Sequence, residues 1–532
     1  MNFWSLFVSK TNWHHSIFIA INPLIAIAIL IAFICYYSIP PLVDFSPHVV
    51  MGMMADQPLK YYHYQSALTY RLLDSIIRFW TLIFGAAFLE IALASYLTVI
   101  FLIISMCYSF CLLLGMSFLR ALCTIGIILG PVFLFLHTTH FIWGLIAYTL
   151  AVFSATISAV SLWCLESELI LAGRVKLQTT IIFLAYTLLA IFSHIGGFLY
   201  LAIAWSIPLL RLIKIKKARL KLLTLLAVLT VLIIPLFLLA WHQVISGFVD
   251  DIFAPLIAMK NLYFLKILLY SRAYWWLSGG PYSMNGLVPA SELGLFGIQQ
   301  VTQLLTFAPF IVAFTLIISF LNKRPQKNIL LTLIILELIL AITIDLFLPF
   351  NWWNLLGIYS RHWLFICAWM FIGIIYLLSN VSNRTFHILC YLSPLLVLIA
   401  CYILTPLYSN FRRIPIESVA STYSNQLLNA VSDYRQNHPE SASKDIIVSY
   451  FPTMVNTGRP QWRQYSVVPF IMMLSPQLSR NKIYIKEHWL TPIYPHLPIF
   501  WKEPEKSNAI HLVWDRSVNQ TDIILSKRSP AG

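Results

Sequence analysis

Residues 174–221 read RVKLQTTIIFLAYTLLAIFSHIGGFLYLAIAWSIPLLRLIKIKKARLK. The apolar run inside this stretch, 179–210, would be about 48 Å long as one helix, against a bilayer core of about 30 Å. Both ends are basic. Arg174 and Lys176 precede the run, and Arg211, Lys214, Lys216, Lys217, Arg219 and Lys221 follow it. Short loops rich in Lys and Arg stay on the cytoplasmic side. Both ends are therefore expected on that side, so the run enters the membrane and returns, turning near His194-Ile-Gly-Gly197. Each half is short for a full span, which predicts a membrane-embedded hairpin.

The rest of the chain agrees with a membrane solvent. Of 532 residues, 59% are hydrophobic and 10% charged, with a mean hydropathy of +0.79. Soluble globular chains carry about 25% charged residues. This excludes a soluble enzyme, a disordered tail and a fibrous repeat. The net charge of +15 does not indicate nucleic acid, because many of the bases sit in short loops between apolar runs. All eight cysteines lie in apolar runs, which excludes a disulfide framework in an exported domain. Cys107 and Cys111 read as small packing residues.

Single spans are expected at 16–39, 118–136, 142–164, 222–245, 302–322, 328–349, 362–379 and 385–404, the first being a retained span. A second long run, 79–115, is expected to cross once behind a helical lead-in. The inner loops then collect Lys10, Arg120, Arg174, Lys176, the 211–221 cluster, Lys323, Arg324, Lys327 and Arg384. Splitting 79–115 into two spans would put that cluster outside.

The expected fold is a polytopic α-helical membrane protein of about 11 membrane segments (residues 1–404), N-terminus cytoplasmic, as in a bacterial inner membrane. Outer loops fall at about 40–78 and 246–301. A small exported α/β C-terminal domain follows over 405–532. There, 414–436 has helical spacing, and segments opening at Asp445, Lys482, Ile510 and Asp522 read as strands. No internal repeat is evident.

Ionisable residues at membrane depth are functional candidates. Glu90 is expected near the outer end of the second span, Asp345 near the outer end of the ninth, and Glu337 deeper. Glu337 is read first as a structural partner or a protonated acid. His194 sits at the hairpin turn, where irregular backbone is tolerated only beside protein or a cavity. His137 and His140 close the third span. The first outer loop begins Pro40-Pro-Leu-Val-Asp-Phe-Ser-Pro-His48. It places Asp44 in a tight turn and His48 four residues on, where an N-cap is the plain structural reading of the acid. A segment at 68–80 is amphipathic and suited to the bilayer surface.

An acid just after the first span, followed by interfacial helices, resembles the integral-membrane glycosyltransferases of the C superfamily. Asp44-Phe-Ser-Pro-His48 looks like the Asp-x-x-x-His openings of uncharacterised bacterial members. His140-Phe-Ile-Trp-Gly144, Ser193-His-Ile-Gly-Gly-Phe198 and Gly357-Ile-Tyr-Ser-Arg-His362 are further similar elements. Ser46 stands where a second acid would complete the better-known paired pattern. Metal dependence, with a divalent cation as cofactor, is therefore left open.

The resemblance implies transfer of a sugar from a polyprenyl-phosphate carrier to an acceptor on the outer face. Asp44 would be the base or orient the acceptor, with His48 assisting or binding phosphate. Arg361 would grip the leaving phosphate, with Lys60 and Arg272 as second choices. His194, Glu90 and His140 complete the expected substrate-binding set. Partners would be the bilayer and the lipid-linked sugar. The alternatives are a multi-span transporter or lipid flippase built on the buried acids, and a scaffold whose exported domain binds a partner. Neither Gly-x-x-x-x-Gly-Lys nor His-Glu-x-x-His occurs, so nucleotide-driven pumping and zinc proteolysis have no support.

Overall fold

The structure is a computed structural model. It describes residues 13–37, 49, 71–85, 88–138, 146–194, 196–214, 224, 227, 231, 233–239, 298–321, 329–347, 358–412, 416–449, 454–455, 465–466, 478, 480–486, 509–514 and 525–527. The helices are α1 (Trp13–Tyr37), α2 (Arg71–Phe84), α3 (Phe88–Leu113), α4 (Phe118–Thr138), α5 (Ile146–Ala172) and α6 (Leu177–Ser193). They continue with α7 (Gly196–Lys214), α8 (Ile298–Leu321), α9 (Ile329–Phe347), α10 (Ile358–Ser379), α11 (Asn383–Arg412) and α12 (Ile416–Asn437). Six stretches, in α1, α3, α4, α5, α10 and α11, are long and apolar enough to cross a membrane.

The helix α5 is the axis of the bundle, because it is buried on every side. Ala147, Ala151, Ala155 and Ala159 recur every fourth residue and are all buried. Lipid supplies no hydrophobic drive between helices, so close approach over small residues and internal hydrogen bonds must hold them. Trp205 Nε1–H donates to Ser158 Oγ at 3.0 Å, Ser158 Oγ meets Thr187 Oγ1 at 2.7 Å, and Thr187 donates to Phe183 O at 2.7 Å. This relay ties α5, α6 and α7 together with each donor in use.

The 179–210 run folds as expected, into two helices broken at His194. At 17 and 19 residues they are about 26 and 28 Å long, each short of a full span. Ser158 faces Thr187 and Glu168 faces Thr179, so α6 runs antiparallel to α5. Tyr148 faces Tyr200 and Glu166 faces Arg211, so α7 runs parallel to it. The glycine pair makes the reversal sterically feasible. A Cβ on Gly197 would lie 2.0 Å from Ala190 O, and one on Gly196 would lie 3.0 Å from Tyr148 Cε2. The start of α6 is capped from outside: Glu168 accepts the Lys176 N–H at 2.8 Å and the Thr179 hydroxyl at 2.9 Å.

The 79–115 run is also a lead-in and one long helix. The helix α2 ends at Gly85 (φ +65°), where only glycine is unstrained. Its Leu73, Asp74 and Ile77 are buried, while Phe79 and Leu82 are exposed. Trp80 Nε1–H donates to Thr98 Oγ1 at 2.8 Å and pins α2 to α3.

Around α4, three helices run in one direction. Cys123 Sγ meets Ile19 O at 3.7 Å, a Gly126 Cβ would lie 2.7 Å from Pro23, and a Gly130 Cβ would lie 2.7 Å from Leu396 O. These contacts set α1 and α11 parallel to α4. Arg120 closes the base. Its Nη2 donates to the carbonyls of Leu378, Ser379 and Val381 at 3.1–3.3 Å, and Nη1 donates to Asn383 Oδ1 at 3.1 Å. A guanidinium thus satisfies the orphan carbonyls and the negative dipole end of α10. Residues 233–239 are helical. Ile233 packs on the Leu162–Leu165–Phe183 cluster and Phe237 on Phe198, so this segment runs antiparallel to α7.

Several boundaries differ from expectation: α8 and α10 begin at Ile298 and Ile358, ahead of the expected 302 and 362. The helix α5 continues eight residues past 164, and α11 reaches Arg412. Polar residues marked the expected ends, but Glu166 and Glu168 find partners within the bundle and the helices run on.

The C-terminal part contains β1 (Asp445–Ser449), β2 (Met454–Val455), β3 (Tyr465–Ser466), β4 (Ile483–Lys486), β5 (Ala509–Trp514) and β6 (Leu525–Lys527). The main sheet has the order β4-β1-β5-β6. Its first three strands are parallel, and β6 is antiparallel to β5. Strand alternation puts Ile446 and Val448 on one face and Ile447 on the other. Leu427, Val431 and Tyr434 of α12, at helical spacing, pack on the first face. All four expected strands occur, the last starting three residues after Asp522.

Gly197→Ala is expected to cost about 1–3 kcal/mol or more, since the added methyl meets backbone and no flexible side chain can yield. Thermal unfolding in detergent checks this. An unchanged melting temperature would contradict the observed packing at the turn.

Candidate functional site

Five of the expected site residues, Asp44, His48, Lys60, His140 and Arg272, lie outside the described residues. Val49, next to His48, is fully buried in the main apolar cluster. Glu90 stands exposed in the first turn of α3. Arg361 is in the first turn of α10. His194 is buried at the hairpin break, as expected.

A connected polar cluster surrounds that break. His194 has an extended backbone (φ −161°, ψ 149°). Its Nδ1 accepts the Gly196 N–H at 2.9 Å, and its carbonyl accepts the Gly197 N–H at 2.8 Å. With Nδ1 accepting, the neutral ring carries its proton on Nε2. The imidazole stands edge-on to Tyr148, with centroids 5.0 Å apart. Tyr148, in the first turn of α5, donates its hydroxyl hydrogen to the Tyr200 hydroxyl of α7. Tyr200 Oη lies 3.3 Å from His362 Nδ1, and His362 Nε2 lies 2.8 Å from Ala341 O.

One hydrogen assignment fits all of these distances. A carbonyl only accepts, so His362 Nε2 carries the proton and Nδ1 accepts from Tyr200. The chain then runs Tyr148 O–H, Tyr200 O–H, His362, Ala341 O, and crosses four helices. Tyr148, Tyr200 and His362 are at most 2% exposed. In the sequence, Tyr148 and Tyr200 look like ordinary aromatic members of apolar runs. Their spacing to His194 and His362 appears only in the fold.

The cluster lies within two helical turns of one end of the bundle. The hairpin glycines and the start of α10, two stretches 160 residues apart in the chain, meet there through Tyr200 and His362.

The other end holds a second polar group that the expected span boundary concealed. Glu166 is fully buried, 3.6 Å from Arg211 Nη1. Arg211 is tied to Ser167 Oγ at 3.2 Å and lies over the Trp163 ring at 4.1 Å. Neither Glu166 oxygen accepts a hydrogen bond among the described residues. Glu337 in α9 is also fully buried, and both its oxygens lack a hydrogen-bond donor among the described residues. Asp345 is buried as well. Among the described residues, no three His, Cys, Asp or Glu side chains gather as a metal site.

Tyr200→Phe is expected to cost about 1–3 kcal/mol by cutting a buried chain of hydrogen bonds. Nitrogen-15 spectra of histidine-labelled protein should show His362 as the Nε2–H tautomer in the wild type. An Nδ1–H signal for His362 would overturn the assigned direction of the chain.

No family model, curated protein or solved structure matches this chain.

Proposed function

We propose that this chain is a membrane glycosyltransferase that moves a sugar from a polyprenyl-phosphate carrier to an acceptor on the outer face of the membrane. The observation that carries the reading is the separation of polar groups between the two ends of the bundle. Arg120, Arg174, Lys176, Arg211 and Arg384 belong to helix ends and turns on the α5–α6 turn side. The hydroxyl–imidazole chain belongs to the opposite end. The positive-inside bias favours a cytoplasmic basic end, which leaves the chain facing outward.

Eleven segments with the N-terminus inside fit this orientation. The helical stretch at 233–239, antiparallel to α7, is consistent with a crossing between α7 and α8. In this reading Asp44 is the base or orients the acceptor, and Arg361 grips the phosphate from the opening of α10. The arrangement favours acceptor positioning and leaving-group stabilisation over covalent chemistry. Asp44→Asn should abolish transfer while leaving insertion and folding unchanged. Mass spectrometry of co-purified lipid should then find more sugar-linked polyprenyl lipid on the variant than on the wild type. Retained transfer by Asp44→Asn would remove Asp44 from the mechanism.

A transporter or flippase is the second reading, favoured by the buried carboxyls Glu166 and Glu337, since acids at depth mark ion and substrate paths. It predicts that Glu337→Gln abolishes flux in reconstituted vesicles. Unchanged flux in that variant would count against it.

A further inference from the structure

The C-terminal α/β part has a cavity of about 280 Å³ between α12 and the turn that leads into β4. Its volume corresponds to about nine waters at about 30 Å³ each, which is the scale of one small polar molecule. The floor is apolar, formed by Leu428, Val431 and Ile483. The rim carries Ser432, Gln436 and Asn481, with Arg435 on one wall.

These residues come together through two local features. On α12 the lining positions recur at helical spacing, so one face of the helix supplies the floor, the hydroxyl, the amide and the guanidinium. On the other side the turn is strained. Lys482 adopts φ +55°, the one positive value among the described non-glycine residues. Its side chain is anchored by donation from Nζ to Ser443 O at 3.0 Å, and its carbonyl accepts the Ile446 N–H at 2.8 Å. A left-handed lysine is strained, and such strain collects at ligand sites. Here the turn holds Asn481 at the cavity edge.

Arg435 is half-buried and incompletely satisfied. Its Nη2 donates to Lys444 O at 3.3 Å. Its Nε–H is sealed from solvent and meets no acceptor among the described residues. Burial lowers its pKa from the ordinary value, and the nearby Asp445 charge raises it again. A guanidinium stripped of water gains most from a carboxylate, which it can take in two parallel hydrogen bonds. The amides and hydroxyl of the rim suit sugar hydroxyls, and the apolar floor suits the C–H face of a ring.

We infer that this cavity binds a small carboxylate-bearing saccharide, with Arg435 holding the carboxylate and Ser432, Gln436 and Asn481 holding ring hydroxyls. The site stands on its own chemistry and would remain if the chain transferred no sugar.

The test is isothermal titration of the full-length protein in nanodiscs, at constant ionic strength, with sodium D-glucuronate, D-glucose and sodium acetate. Saturable glucuronate binding is expected in the millimolar range, with glucose and acetate each at least tenfold weaker. Arg435→Gln should weaken glucuronate binding at least tenfold. Ser432→Phe, at an exposed position, should block the cavity without unfolding the domain. Asp44→Asn should bind as the wild type does, which separates this site from the proposed transferase centre. Absent glucuronate binding, or equal binding by the wild type and Ser432→Phe, would overturn the site. Equal affinity for glucuronate and glucose would overturn the role of the carboxylate, and equal affinity for glucuronate and acetate would overturn the saccharide.

Discussion

The backbone contact between Gly197 and Ala190 O is the constraint on which the bundle depends. A tight reversal between two apolar helices leaves backbone carbonyls and amides that must find partners. Here the reversal is tight enough that His194 satisfies it locally, its ring taking one amide hydrogen and its carbonyl another. The two short helices then flank α5 on adjacent sides. This places Tyr200 against Tyr148 at one end and Arg211 against Glu166 at the other. One steric fact thus sets the positions of both polar groups.

The interior treats hydroxyls and carboxyls differently. Thr156, Ser161, Thr187 and Ser193 each return a hydrogen to the carbonyl four residues back, so they add polarity to the core at little cost. Ser158 and Thr187 also link helices. Carboxyls have no such local outlet. Glu168 finds one at the open start of α6, where unsatisfied amides and the positive end of the dipole await an acceptor. Glu166 instead lies beside the Arg211 guanidinium at 3.6 Å, while Glu337 meets no donor among the described residues, and a buried acid without donors costs several kcal/mol. Among the described residues, that sets Glu337 apart from the well-satisfied packing around it.

Much of the layout was legible in the sequence because membrane topology is written in coarse signals. Run length and the basic flanks of 179–210 were enough to predict the hairpin, and the alternation at 68–80 announced α2. The C-terminal strands followed from short β-branched runs. The polar chain was not legible. Tyr148 and Tyr200 carry no one-dimensional mark, since an aromatic in an apolar run most often simply packs. His362 stood out only through its neighbour Arg361. Glu166 was missed for the opposite reason. Cys-Leu-Glu-Ser-Glu reads as the polar end of a span, and only the apposed Arg211 lets the helix continue through it.

The two ends of α5 show how the same helix serves two different electrostatic tasks. At the Arg211 end, charges are paired or stacked: guanidinium over indole, carboxylate beside guanidinium, lysine beside Glu168. Such groups anchor helices where short basic turns meet water and headgroups. At the His194 end, the linked groups are hydroxyls and imidazoles, and their hydrogens are ordered in one direction, ending on Ala341 O. A neutral, pre-oriented chain in a low-dielectric surround aligns a polar ligand without reorganising when the ligand arrives. Chemistry that needs charge must then come from groups brought to this end by the loops. In the proposed reading Asp44 and Arg361 supply it, from the sequence that follows α1 and from the opening of α10. The division of labour follows from where a membrane bundle tolerates charge: on loops that meet water, next to a rigid and neutral floor.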